Sequence, residues 1–169
     1  MSKVQINLPA RTQSPSTTGI PFYDGIAQTI NEYGWRLMLV LPDPDESSDS
    51  FVPFIYTIGN YECGLPELLM IGCPHACSTS NRIVARMRQY NRAFMDGESI
   101  DLGKKCQPKA FWANEEAQEY TVQVGEYYGT SDYAVQQIVI PDTLGRYPGD
   151  PQCDLPYRLV PLLRNNGKH

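Results

Sequence analysis

Apolar side chains at Phe22, Tyr23, Ile26, Ala27, Ile30 and Tyr33 form one stripe of a helix, and Gly34 offers its stop. The next run, Trp35 to Leu41, is almost continuously apolar and ends at Pro42, which predicts a central strand buried on both faces. Asp43 to Ser50 has four carboxylates and no apolar residue, the pattern of a solvated loop. Val52 to Ile58 alternates through Phe54, Tyr56 and Ile58 up to Gly59, and Glu67 to Cys73 is a second buried run opened by Pro66.

Further on, Ser78 and Ser80 stand as caps for a helix with Ile83, Val84, Met87, Tyr90 and Phe94 on one side. Arg82, Arg86, Arg88 and Arg92 mark its other side, and Gly97 ends it. A second amphipathic segment runs from Asn114 through Ala117, Tyr120, Val124 and Tyr127 to Gly129, with Glu115 and Glu116 suiting its positive end. Tyr133 to Ile140 reads as a strand, closed by Pro141 and Asp142 and the turn-rich 145–151. This order predicts an α+β fold, a single mixed sheet packed with two to three helices.

Residues 1–20, rich in Ser, Thr, Pro and Gln, read as an N-terminal arm, which leaves one domain at 21–163 and a short tail at 164–169. At 169 residues and 41% apolar content, the chain can build a core without metal or disulfides. Its five cysteines are an odd number without a secretion signal, so reduced thiols and a cytoplasmic setting are expected. No apolar run approaches the roughly 20 residues that a bilayer crossing needs. A net charge of -5 argues against nucleic acid as the main partner.

Candidate chemistry is sparse. Cys63, Cys73, His75 and Cys77 hold zinc-type donors, but their spacing matches no separated ligand pairs, and burial as packed thiols is the simpler expectation. Cys77 with His75 as base is the thiol-enzyme alternative. Glu67 and Asp142, each following a proline at a strand end, could meet at one edge of the sheet for acid–base work, although both are also turn and capping positions. Arg82, Arg86, Arg88 and Arg92, with Trp112, are the candidate interaction residues, set against an ordinary solvated helix face. Phosphate-loop, dinucleotide and zinc-protease fingerprints are missing, so no cofactor is expected.

Several segments, in order, resemble the bacterial and phage family catalogued as domain of unknown function 4262. They are Tyr33-Gly34-Trp35, Phe54-Ile55-Tyr56-Thr57-Ile58-Gly59, Gly64-Leu65-Pro66-Glu67-Leu68-Leu69 with Gly72, Tyr127-Tyr128-Gly129, and Gln136 to Asp142 with Gly145-Arg146-Tyr147-Pro148. The resemblance spans about residues 22–151 and implies an α+β domain with no assigned activity, cofactor or catalytic residues. It leaves the cysteine cluster outside the matching residues and draws Tyr56, Thr57, Glu67 and Asp142 inside them as the place for any shared site. The resulting expectation is a cytoplasmic, phage-encoded, non-enzymatic interaction module acting on a host or defence protein, with a second copy of the chain as another partner. Exposed aromatics at Trp112, Tyr127, Tyr128 and Tyr133 motivate it. The alternative is a small-ligand binder or enzyme using Glu67, Asp142, Tyr56 and Thr57.

Overall fold

A computed structural model describes residues 19–45, 52–72, 76–105 and 107–164, with side chains in the helix opened by Ala76 described from residue 78 onward. Most of the expected arm, the second half of the acidic loop, Cys73, His75, Cys106 and most of the tail lie outside the described residues, as does the Cys77 side chain.

Helix α1 (Pro21–Tyr33) opens on Pro21, whose fixed φ suits a first turn, and closes where the Gly34 N–H donates to Ile30 O at 2.7 Å. Strands β1 (Arg36–Val40), β2 (Phe54–Ile58) and β3 (Glu67–Ile71) follow, with one 3₁₀ turn at Tyr61–Cys63 between β2 and β3. Helix α2 (Ala76–Tyr90), strand β4 (Lys109–Trp112), the one-turn α3 (Ala117–Tyr120), α4 (Val122–Tyr128) and strand β5 (Val135–Val139) come next, and a second 3₁₀ turn at Tyr157–Leu159 closes the order. The five strands form one mixed sheet, β1-β2-β3-β5-β4, parallel between β3 and β5 and antiparallel elsewhere. The fold is thus α+β.

Alternation along the strands divides the core in two. Ile55, Leu68, Met70 and Ile138 meet Ile83, Val84 and Met87 of α2. Tyr56, Leu69, Ile71 and Val135 meet Ile26 and Ile30 of α1, Ala117 of α3 and Val124 and Tyr127 of α4 on the opposite face.

Several expectations are corrected. β1 is an edge strand, not a central one: Leu39 is 47% exposed, and an apolar run alone does not distinguish the two positions. β4 is a strand for which the sequence raises no expectation, its four residues being too few to show a period. The segment 114–129 is not one helix, because Thr121 (φ −109, ψ 36) breaks it. There the Thr121 hydroxyl donates to Ala117 O and lies 2.9 Å from the Tyr133 hydroxyl. α2 ends at Tyr90, before Phe94, with Asn91 at φ 51. Ser78 and Ser80 lie within α2 and do not cap it.

The adjacent Gln136 and Gln137 side chains act as extra peptide units. Gln136 accepts from Phe94 N at 3.1 Å and donates to Phe94 O at 2.7 Å. Gln137 accepts from Leu163 N at 2.8 Å and donates to Pro161 O at 2.7 Å. Successive strand residues face opposite sides, so β5 clips one irregular segment to each face of the sheet.

Candidate functional site

Among the residues singled out by sequence, Glu67 is the most unusual. Its side chain opens β3 with no solvent exposure. Its Oε1 accepts from Gly59 N (3.1 Å) and Tyr61 N (2.9 Å), and its Oε2 accepts from the Thr57 hydroxyl (2.5 Å), which itself accepts from Leu68 N (2.9 Å). Burial pushes the carboxyl up to about 7, against the opposing pull of the Thr57 hydroxyl and of backbone donors at 59–61. Gly59 makes this turn possible. It sits at φ 127, and a Cβ there would meet Gly34 O and Trp35 Cα at 2.9 Å. The Thr57–Glu67 pair therefore ties the β2–β3 connection together from within, and Glu67 has no exposure to solvent.

Glu67 and Asp142 do not form a joint site. Glu67 is in register with Val135, and Asp142 lies beyond Val139 at the far end of β5, whose four steps alone cover roughly 13 Å at about 3.3 Å per residue. Asp142 Oδ1 accepts from Leu144 N and Arg146 N, while Oδ2 accepts from Arg146 Nε and Asp154 N. Burial would raise the Asp142 carboxyl, but the N–H groups of Asp154, Arg146 and Leu144 and the Arg146 guanidinium outweigh it and hold the group well below the usual carboxylate range. This is an Asx-type clip of the 142–154 turns. Tyr56, also buried, donates its hydroxyl to Gln123 Oε1 and so ties β2 to α4.

Intramolecular partners also occupy the arginine face. Arg82 donates to Leu102 O, Arg86 to Asp101 O, and Arg92 pairs with Glu98 at 2.9 Å. Arg88 is 3% exposed and belongs to the core: it donates to Asn60 Oδ1 (2.9 Å), Cys63 Sγ (2.7 Å) and Gly34 O (2.9 Å). Arg88 stands four residues after Val84, so its place on the buried stripe was readable from the helical period. Among the described residues, no group of three His, Cys, Asp or Glu side chains could hold a metal ion, and no helix is long and apolar enough to cross a membrane. Of the aromatics behind the interaction expectation, Tyr127 is buried, Tyr128 and Tyr133 are half-buried, and Trp112 is 36% exposed.

What the sequence did not signal is the contrast between the two edges of the sheet. Residues 97–100 cover the outer side of β4: Gly97 N donates to Ala110 O, Ala110 N to Glu98 O, and Ile100 N to Pro108 O. Nothing among the described residues pairs with the outer side of β1. Leu39 and Leu41 are exposed there, and a groove of about 550 Å³ lined by Thr29, Tyr33, Trp35, Arg36, Leu37 and Asn81 adjoins the start of the strand.

No curated protein and no solved structure matches the chain. Among the residues on which the likeness rests, Thr57, Gly59, Glu67, Gln136, Gln137 and Asp142 close turns or clip segments. A family model covers residues 29–154, three-quarters of the sequence, and the chain belongs to that family, described as a domain of unknown function, DUF4262.

Proposed function

We propose that this domain is a non-enzymatic protein-binding module that receives an extended segment of a partner along the open edge of β1. The single supporting observation is the asymmetry of the sheet among the described residues, where 97–100 cover β4 and nothing pairs with the outer side of β1. An unpaired edge presents a row of backbone N–H and C=O groups, and native proteins usually block such rows with charge, proline or a covering loop. β1 carries one charge, Arg36, followed by Leu37, Met38, Leu39 and Val40. Backbone pairing would supply affinity, while alternate side chains of the partner would lie over Leu37 and Leu39 on one face and Met38 on the other. Enclosure of Glu67, with all its contacts internal, argues against the catalytic alternative. The partner, on this proposal, is a cytoplasmic host or defence protein met by a phage-encoded chain.

Selection of displayed peptides on immobilised protein tests this. Alternating apolar sequences should be enriched on the native chain and lost on Leu39→Lys, which places a charge on the bare edge where the fold tolerates it. Equal enrichment on both proteins, or none above a blank surface, would contradict the proposal.

A further inference from the structure

We infer that the grooved acidic face between Trp112 and Tyr133 binds an arginine-bearing extended segment of another polypeptide. This face lies on the β4 and β5 side of the sheet, away from β1, and the inference stands without strand addition there. Two shallow grooves adjoin. One, of about 390 Å³, is lined by Trp112, Asn114, Glu115 and Ala134, and the other, of about 480 Å³, by Val122, Glu126 and Thr130. Gln118 and Tyr133 line both, forming the divide between them.

That divide is held in place from within. Gln118 donates to Ser131 O at 2.8 Å, and the Tyr133 hydroxyl donates to Thr121 O at 3.1 Å. The grooves therefore exist before any partner arrives, which lowers the ordering cost of binding.

Charge identifies the occupant. Residues 113–134 contain Glu115, Glu116, Glu119, Glu126 and Asp132, all exposed, with no Lys, Arg or His. Their five negative charges equal the net charge of the whole chain, -5, so the rest of the molecule balances. The negative field is felt locally: burial first, then Glu116 and Glu119, raise the Tyr120 hydroxyl. Glu126 also accepts from the Tyr23 hydroxyl, and it keeps its exposure. Arg164, which bridges Ala113 through the backbone, has its guanidinium laid on the Phe111 ring at 3.7 Å.

An arginine fits this face better than a lysine. Its planar guanidinium can lie on the exposed Trp112 indole and fork to a carboxylate at the same time, a combination a point-like ammonium lacks. Val122, at the far groove, offers apolar contact to an intervening side chain. Two tandem grooves sharing a divide suit an extended chain that crosses both.

Fluorescence anisotropy tests the inference with a labelled peptide of alternating arginine and serine, about 12 residues and so roughly 40 Å when extended, which has no apolar side chain to lie over Leu37 and Leu39. The native chain should bind it saturably, and a counterpart with glutamate for arginine should not bind. Glu115→Gln with Glu119→Gln should weaken binding roughly five- to tenfold. Asp43→Asn with Asp45→Asn, which removes the same charge elsewhere, should leave it unchanged, as should Leu39→Lys. Matching thermal melts confirm that the variants are folded. Equal weakening by both charge pairs, loss of binding in Leu39→Lys, saturable calcium binding without peptide binding, or no saturation would each overturn the inference.

Discussion

The buried carboxyl of Glu67 makes stability depend on pH in an unusual direction. Its ordinary value is 4.5, and in the folded chain it rises to about 7. Between those two pH values the unfolded chain releases its proton while the folded chain retains it, so unfolding becomes easier as pH rises. The loss is on the order of 3 kcal/mol, complete above about pH 7 and absent below about pH 4.5. Denaturant unfolding across this range should show the decline in the native chain and not in Glu67→Gln, which cannot ionise and keeps an oxygen for the Gly59 and Tyr61 N–H groups. A pH profile that is identical in the two proteins would refute the role given to this carboxyl. Gly59→Ala tests the neighbouring backbone. A Cβ at φ 127 faces the Gly34 and Trp35 backbone at 2.9 Å, so a loss of at least about 2 kcal/mol is expected in the same measurement.

Among elements, β5 does the most to organise the molecule, pairing with β3 and β4 through its backbone and with 94 and 161–163 through two glutamines. Gln136→Leu keeps the strand and removes the clip on Phe94, leaving a buried N–H and C=O without partners. Unfolding should become easier by about 2–4 kcal/mol, and a neutral effect would refute the clip. Much of this frame is legible in sequence. α1 declares itself through its stripe and Gly34, and β2, β3 and β5 through apolar runs bounded by glycine or proline. What escapes is long-range. The position of β1 in the sheet depends on partners far along the chain, and Lys109–Trp112 is a strand because Val139 to Gln136 lie beside it. Helix 114–129 breaks because Thr121 meets Tyr133, a contact no local period encodes. The site is less legible. Glu67 and Asp142 look like a chemical pair, yet each closes its own turn, whereas the buried place of Arg88, which anchors Asn60, Cys63 and Gly34, follows from its spacing to Val84.

At the scale of the whole molecule, the buried polar residues Thr57, Glu67, Gln136, Gln137 and Asp142 hold the scaffold together, and the surfaces proposed for recognition lie at its margins. One margin is the edge of β1, unpaired among the described residues, and the other is the grooved segment from Trp112 to Tyr133, where Glu115 and Glu126 line the grooves. The two should respond differently to salt. Binding at the acidic face should weaken as ionic strength rises, while strand pairing at β1, made through uncharged backbone groups, should change little. The most direct measurement of strand reception is amide hydrogen exchange across β1, free and with a selected peptide bound. Outward-facing amides between Arg36 and Leu41 should exchange rapidly in the free protein and slow by about tenfold or more on binding, as they gain partners. Protection already present in the free protein, or binding that leaves the β1 amides unchanged, would contradict the proposal that β1 is the receiving edge.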